Sequence, residues 1–151
     1  MPDSHLLKET FPNPSESSKS LGFDLVSLDM KAMETRVRFD GKSEFTNPAG
    51  YIQGGYLAAM LDDTIGMLAT VKTGTRALPS TIDLHTQFLR PVRVGVIEVL
   101  ARLRNIGRQV IFAEAELYDS RGKEAARATA SLAINPMKAP ANTKVFTGDP
   151  K

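Results

Sequence analysis

The feature that most constrains this chain is residues 54–71, GGYLAAMLDDTIGMLATV, which are apolar on nearly every side and carry only two charges. A helix on the surface of a domain would present a polar face, so the pattern predicts a helix buried in the concave face of a sheet. A membrane span needs about 20 apolar residues, and two carboxylates in its middle would cost several kcal/mol. The segment therefore predicts the central helix of a globular domain.

Patterns typical of β-strands lie on both sides of this helix. Two strands are expected before it, at residues 22–31 and 33–40, and the second alternates apolar and charged side chains. Four more are expected after it, separated by short turns and without a further helix: residues 80–90, 94–106, 109–119 and 124–134. The order of elements predicts an α+β fold with an antiparallel sheet.

The last predicted strand has a face made mostly of small side chains. Its members alternate along the strand: Ala126, Ala128, Ala130, Leu132 and Ile134. A helix can approach such a face closely, so we expect the central helix to pack there. The turn before this strand, residues 120–123, contains Gly122 where a positive φ is tolerated.

Length and composition indicate one domain between two tails. The chain has 151 residues, of which 42% are hydrophobic and 24% charged, as in an ordinary globular domain. Both ends are rich in polar residues and proline with few apolar residues. We expect an N-terminal arm at residues 1–20, a domain at 21–135 and a C-terminal tail at 136–151.

The chain contains no cysteine, which excludes a disulfide framework, a thiolate metal site and a cysteine nucleophile. The first 20 residues lack the pattern of a secretory signal, so a cytoplasmic location is expected. Charge is uneven: residues 76–151 carry 12 Lys and Arg against 7 Asp and Glu. A basic half can attract nucleic acid or a phosphorylated small molecule, although most such residues in proteins are solvated surface.

Asp62 and Asp63 are the most unusual residues of the sequence, because an ionised group in an apolar helix is costly unless it is paired or functional. Successive helical residues point about 100° apart, so the two carboxylates cannot share one environment. For each residue two interpretations are open from the sequence. It is either a functional group or a partner for an arginine of another strand.

Gly54 and Gly55 stand at the predicted start of the helix, where free backbone N–H groups can approach a ligand or a developing oxyanion. A tight turn is the commoner reason for such a pair. No phosphate-binding or dinucleotide-binding glycine motif and no serine-hydrolase elbow is present. His5 and His85 lack metal-ligand spacing, so no metal site and no cofactor is expected.

Several motifs together resemble the PaaI-like hotdog thioesterases. Residues 47–55, NPAGYIQGG, followed by Asp62, are similar to the signature N-x-x-G-x-x-H-G-G with a carboxylate on the helix. The resemblance continues in TIDLHTQFLRP at residues 81–91, NIGR at 105–108 and DSRGK at 119–123, and it covers about residues 21–134.

This resemblance implies a hotdog fold, in which an antiparallel sheet of about five to six strands wraps one long helix. It also implies that two subunits pair edge to edge, with active sites at the dimer interface, and that the protein is a homotetramer. The substrate would be an acyl-CoA. Asp62 would be nucleophile or general base, the Gly54 N–H would polarise the thioester carbonyl, Asn47 would orient water or substrate, and Thr81 would lie near the water. Asp63 would be structural.

Gln53 departs from the signature, which has histidine at this position. An amide can donate a hydrogen bond, but it cannot carry a proton near neutral pH as an imidazole can. Gln53 is therefore expected to orient substrate, and dehydratase chemistry is disfavoured. The substitution motivates the alternative that the chain is a non-catalytic acyl-CoA or acyl-ligand binding module. A purely structural oligomer would leave Asp62 and the arginines without a purpose.

Substrate contacts follow from the same resemblance. Residues expected to bind substrate near the helix start are Gly55 and Tyr56, and residues expected to bind the CoA phosphates are Arg90, Arg93, Arg104 and Arg108. Tyr56, Met60, Met67 and Phe88 are candidates for lining the acyl pocket or for the core. Nucleic acid is disfavoured, because aromatic residues do not interleave with these arginines.

Overall fold

The computed structural model describes residues 3–74 and 77–136 and contains a six-stranded sheet with one long helix. The chain begins with two short helices, and the long helix separates the first two strands from the last four. The elements in order are α1 (Ser4–Thr10), α2 (Glu16–Leu21), β1 (Asp24–Asp29), β2 (Glu34–Gly41), a 3-10 turn (Ser43–Phe45), α3 (Gly54–Thr73), β3 (Leu78–Phe88), β4 (Gly95–Ile106), β5 (Val110–Tyr118) and β6 (Glu124–Asn135).

The sheet has the strand order β1-β2-β4-β5-β6-β3, and every neighbouring pair is antiparallel. All six predicted strands are present, with each boundary within two residues of its predicted position. The α+β hotdog arrangement is thus confirmed. Within residues 3–74 and 77–136, β3 pairs with β6 alone, so it forms an open edge of the sheet.

Helix α3 lies against the inner face of the sheet. Its side chains facing the strands are almost inaccessible: Leu57, Met60, Leu61, Thr64, Ile65, Met67, Leu68 and Ala69. On β6, Ala126, Ala128 and Ala130 are buried, which confirms the predicted small-residue face. On β2, Thr35, Val37 and Phe39 are buried while Arg38 and Asp40 are exposed, as the alternation predicts.

In the predicted N-terminal arm, residues 4–20 form α1 and most of α2, and they pack in part against the core through Leu6, Leu7 and Phe11. We call residues 4–21 the helical arm. Ser15 caps α2 by accepting a hydrogen bond from the Ser18 N–H at 3.1 Å. The helix ends at Gly22 with φ 73°, where an added Cβ would lie 2.5 Å from an Asp40 oxygen. A side chain is therefore excluded at this turn.

Two further features complete the fold. The predicted turn before β6 is confirmed, with Gly122 at φ 74° and its N–H donating to the Asp119 carbonyl at 2.9 Å. In the described part of the chain, no helix has the length and apolarity needed to span a membrane. Most of the predicted C-terminal tail, residues 137–151, lies outside the described residues.

Candidate active site

Asp62 lies in the middle of α3 on the side that faces β3. The Thr81 hydroxyl donates a hydrogen bond of 2.8 Å to Asp62 Oδ1. The pairing of β3 with β6 has a bulge between Thr81 and Asp83, so Thr81 lies next to an irregularity of the edge strand. Within residues 3–74 and 77–136, the other Asp62 oxygen, Oδ2, has no hydrogen-bond partner. The structure thus brings together the predicted carboxylate and the predicted hydroxyl, with one carboxylate oxygen held and one available.

Asp63 points to the helical arm. The Ser18 hydroxyl of α2 lies 3.0 Å from each Asp63 carboxylate oxygen. Burial raises the pKa of Asp63 above its ordinary value; the hydrogen bond from Ser18 lowers it, and the nearby charge of Asp62 raises it further. Neither aspartate forms an ion pair with an arginine of the described chain. In the described chain, the hydroxyl groups of Thr81 and Ser18, and no arginine, bond to these two aspartates.

An open groove of about 790 Å³ adjoins both aspartates. The helical arm forms one wall, α3 the other, and the start of β3 closes one side. Residues that line the groove are Leu7, Lys8, Phe11, Pro12, Pro14, Ser15, Ser18, Phe23, Asp24, Leu25, Asp62, Asp63, Gly66, Met67, Thr70, Pro79 and Thr81. A groove whose exposed surface is mainly apolar and which also carries polar groups is typical of a site for a small organic ligand.

The N-terminus of α3 is open. Gln53 is the N-cap residue, and its side chain forms no capping hydrogen bond. The first N–H groups of a helix have no intrahelical acceptor, so those of Gly54 and Gly55 are available to a ligand. A Cβ added at Gly55 would meet no atom within 4 Å, whereas one added at Gly54 would lie 3.2 Å from the Phe88 ring. This end of the helix can therefore bind an oxyanion or a polarised carbonyl.

Asn47 organises the loop that precedes the helix. Its Oδ1 accepts hydrogen bonds from the N–H groups of Ala49 at 3.0 Å and Tyr51 at 3.2 Å. The loop is also tied to the strand connection by the Ile52 N–H, which donates to the Val92 carbonyl at 2.8 Å. Only the Asn47 NH₂ group is left to contact a ligand, so its role in orienting water or substrate stays a prediction.

The predicted base, Asp62, and the predicted oxyanion contact, the Gly54 N–H, are far apart in one chain. Asp62 follows Gly54 by eight residues, which corresponds to about 12 Å along a helix. Thr81 contacts Asp62 near one end of β3, and Phe88 contacts Gly54 at the other end. A single carbonyl group cannot touch both sites of one chain at that separation.

The four predicted CoA-binding arginines do not form one patch in a chain. Arg90 and Arg93 follow β3, whereas Arg104 lies near the end of β4 and Arg108 lies in the turn after it. The two pairs are separated by the length of β4, which has 12 residues and is about 35 Å long. Arg90 donates to the Glu124 carbonyl at 2.8 Å, and Arg104 pairs with Glu114 at 3.4 Å. Arg93 and Arg108 are exposed.

The residues proposed for the acyl pocket separate into different environments. Met60 is fully buried and belongs to the core, while Met67 lines the groove. Tyr56 stacks on Phe45 with ring centroids 4.1 Å apart, and Phe88 covers Gly54.

The groove residues of the helical arm were missed from the sequence. The Ser15-Glu16 pair, typical of a helix N-terminus, was the available signal for α2. That signal would not by itself have placed the arm over the groove.

Comparisons with known proteins identify the family of this chain. A family model described as the thioesterase superfamily matches residues 49–126, from the loop before α3 into β6. A protein of Saccharolobus solfataricus named "putative esterase" is 27% identical over 128 residues, which cover 85% of this chain and 89% of that protein.

Two solved structures are similar over most of the chain. A protein from Ralstonia eutropha JMP134, described as a "putative thioesterase, phenylacetic acid degradation-related protein", has 35% identity and a TM-score of 0.80, covering 87% of this chain and 98% of that one. The PaaI protein of the E. coli phenylacetic acid degradation operon has a TM-score of 0.78 at 19% identity, covering 87% and 95%, which supports the fold.

Proposed function

We propose that this chain, which belongs to the thioesterase superfamily and is a hydrolase acting on thioester bonds, takes an acyl-CoA as its substrate. The resemblance to PaaI-like hotdog thioesterases is confirmed by the same matches. The observation that carries the proposal is the 2.8 Å hydrogen bond from Thr81 to Asp62 at the side of the groove. It holds a carboxylate in one orientation where an apolar acyl group could reach it.

Asp62 acts as general base in this proposal. Thr81 holds Oδ1, and Oδ2 accepts a proton from a water molecule. The water oxygen bonds to the thioester carbonyl carbon, and the tetrahedral intermediate then expels the CoA thiolate. The proton held by Asp62 passes to the thiolate sulfur, so the products are a carboxylic acid and free CoA. Thr81 is a positioning residue that keeps the carboxylate in place.

Gly54 supplies the electrophilic contact. Negative charge develops on the thioester oxygen in the transition state, and an N–H at the start of a helix, aided by the helix dipole, stabilises it. The side chain of Gln53, exposed beside this N–H and without a capping bond, is placed to hold the substrate through its amide. Since an amide does not titrate near neutral pH, proton transfer rests on Asp62 alone.

Two chains are required to assemble the site. The open edge of β3 is available for antiparallel pairing with β3 of a second copy. In such a pair the Thr81 end of one strand lies near the Phe88 end of the other. Asp62 of one chain thereby approaches Gly54 of its partner, which removes the separation of about 12 Å found within one chain.

The same pairing gathers the basic residues. The turn between β4 and β5 adjoins the start of β3, because the Ile134 N–H donates to the Gln109 carbonyl and Pro79 pairs with Ile134. Arg108 of that turn then lies on the same side of the pair as Arg93 from the second copy. We assign the CoA phosphates to these two exposed cations, since phosphate recognition needs guanidinium groups without an internal partner.

The alternative function is a non-catalytic acyl-CoA or acyl-ligand binding module. It is favoured by one observation, the glutamine at position 53 where the family signature has histidine. The Thr81–Asp62 hydrogen bond favours the enzyme, because binding alone does not require an oriented carboxylate.

The experiment that tests the proposal is release of free thiol from a panel of short, medium and long acyl-CoAs together with phenylacetyl-CoA. Wild type is compared with Asp62→Asn and with Asp63→Asn, a matched control one residue away. We expect Asp62→Asn to lower kcat about 10²- to 10⁴-fold while binding persists, and Asp63→Asn to retain turnover. If wild type binds acyl-CoA but releases no thiol from any member, the binding module replaces the enzyme.

A further inference from the structure

The groove beside Asp62 has a floor that continues along α3. Asp62, Gly66 and Thr70 are spaced by four residues, so they lie along one stripe of the helix, and all three line the groove. A Cβ added at Gly66 would meet no atom within 4 Å, which leaves the floor open one turn beyond the carboxylate. From Asp62 to Thr70 the stripe is about 12 Å long, enough for an extended apolar chain.

The wall opposite this floor is formed by the helical arm. Leu7 and Phe11 are four residues apart, on the same side of α1 and its C-cap, and both line the groove while packing in part against the core. Pro12 and Pro14 extend the wall through the connection to α2. Met67 and Phe23 add apolar surface, so most of the surface that the groove exposes is apolar although polar side chains also line it.

The helical arm is held in this position by specific bonds. Ser18 donates to Asp63 at 3.0 Å, and the Lys42 ammonium donates to the Ser20 carbonyl at 2.6 Å. At the start of α1, the Asp3 carboxylate accepts a hydrogen bond of 2.8 Å from the Met30 N–H. Leu21, the last residue of α2, is buried. The wall is thus anchored at both ends, and Leu7 and Phe11 have a defined distance from the floor.

We propose that the helical arm determines acyl specificity: the acyl chain lies along α3 from Asp62 toward Thr70, and Leu7 and Phe11 limit its length and bulk. The proposal rests on the proposed function for the identity of the ligand as a thioester. It adds that selectivity for the acyl group resides in a segment outside the residues matched by the family model, which begin at residue 49.

The chain offers a matched pair for the test. Leu6 and Leu7 are adjacent on α1 and both pack in part against the core, but only Leu7 lines the groove. We compare wild type, Leu7→Ala, Phe11→Ala and the control Leu6→Ala across straight-chain acyl-CoAs from acetyl to dodecanoyl, measuring kcat/KM for each. Leu7→Ala and Phe11→Ala are expected to raise the ratio of long-chain to short-chain kcat/KM about tenfold. Leu6→Ala should leave the ratio unchanged and lower only the melting temperature.

A second measurement separates this proposal from the proposed function. Binding of acetyl-CoA and decanoyl-CoA is measured by calorimetry for the same three arm variants in the Asp62→Asn background. If wild type releases no thiol but Leu7→Ala shifts the ratio of the two affinities relative to Leu6→Ala, hydrolysis fails and the arm proposal stands. Thiol release with identical chain-length profiles for Leu6→Ala, Leu7→Ala and Phe11→Ala overturns the arm proposal alone. Absence of both turnover and binding overturns both.

Discussion

The two functional regions of α3 have opposite character. At its N-terminus, Gly54 and Gly55 present backbone N–H groups, and the positive end of the helix dipole faces an open surface. In its middle, Asp62 and Asp63 present negative charge between β3 and the helical arm. In the proposed mechanism the first region stabilises the oxyanion and the second activates water. Because the two regions are about 12 Å apart along one helix, the proposed mechanism takes them from different chains.

The sharpest test of this division combines two variants that each damage a different half. Gly54→Pro removes the N–H at the first helical position, where proline is well tolerated, and Asp62→Asn removes the base. Gly54→Pro alone should lower kcat about 10²- to 10³-fold, and Asp62→Asn alone about 10²- to 10⁴-fold. When the two variants are mixed in equal amounts and reassembled, half of the pairs contain one chain of each variant. Each such pair has one intact site of two, so about a quarter of wild-type activity should return. The measurement is thiol release after co-refolding.

Two controls accompany this mixing experiment. Gly54→Ala keeps the N–H and should retain far more activity than Gly54→Pro, although its Cβ displaces the Phe88 ring slightly. Asp62→Asn mixed with a chain carrying both substitutions should show no recovery. A lack of recovery in oligomers shown by mass spectrometry to be mixed would contradict assembly of the site from two chains.

A smaller effect is expected at the residue that holds the base. Thr81→Val removes the hydroxyl bonded to Asp62 at 2.8 Å and should lower kcat about tenfold, since the carboxylate loses one fixed orientation. The KM should change little, and Thr81→Ser should restore most of kcat. An unchanged kcat in Thr81→Val would show that β3 does not position the base.

Thr86 lies on the same strand as Thr81, but its hydroxyl group does not hold a functional side chain. Its hydroxyl oxygen is buried and, within the described chain, has no hydrogen-bond partner. Thr86→Val replaces an unsatisfied polar group by a methyl group of the same shape, so the free energy of unfolding should rise by about 1 kcal/mol with unchanged kcat. Chemical denaturation beside the thiol assay measures both. Destabilisation of Thr86→Val would mean that the hydroxyl finds a partner in the oligomer.

The smallest effect concerns the arm side of α3. Because the pKa of Asp63 is raised in the folded state, the fold binds its proton more tightly than the unfolded chain does. Its protonated form favours folding, and stability is lost as pH rises from the unfolded pKa, near 3.8, through the raised folded value. The free energy of unfolding of Asp63→Asn minus that of wild type should therefore be larger at pH 7 than at pH 3.5. The increase should be less than about 1 kcal/mol, since solvent screens this partly buried group. Thermal melts of both proteins at the two pH values measure this difference. A larger advantage of Asp63→Asn over wild type at pH 3.5 than at pH 7 would contradict the raised pKa of Asp63.

Prediction from the sequence succeeded where local pattern and burial coincide. The alternation on β2, the alanine face of β6 and the apolar run of α3 each reflect a periodicity that a sheet or helix imposes on its buried side. The two helices of the arm were missed because α1 and α2, with seven and six residues, are too short to be stable alone. Leu6, Leu7 and Phe11 pack α1 partly against the core, and Leu21 and Ser18 dock α2; the local sequence does not encode these contacts.

The candidate site shows the same limit. The resemblance to the hotdog thioesterases identified Asp62 and Gly54, whereas the residue pattern alone left both aspartates open and favoured a tight turn at the glycine pair. The pattern alone could not tell which aspartate contacts the strand and which contacts the arm, since that depends on the rotation of α3 against the sheet. The arginines looked like one basic half of the chain, yet the topology places them at both ends of β4.

The order of the strands and central helix and the buried faces were predictable from the sequence, because they follow from residue type at fixed spacing, and the family was predictable from its motifs. The Thr81–Asp62 and Ser18–Asp63 hydrogen bonds, and the groove between the arm and Gly66, are properties of the folded chain alone. The fold also separates Gly54 from Asp62 along one helix. Contacts between residues distant in sequence depend on how elements pack, and packing is set by the whole chain at once.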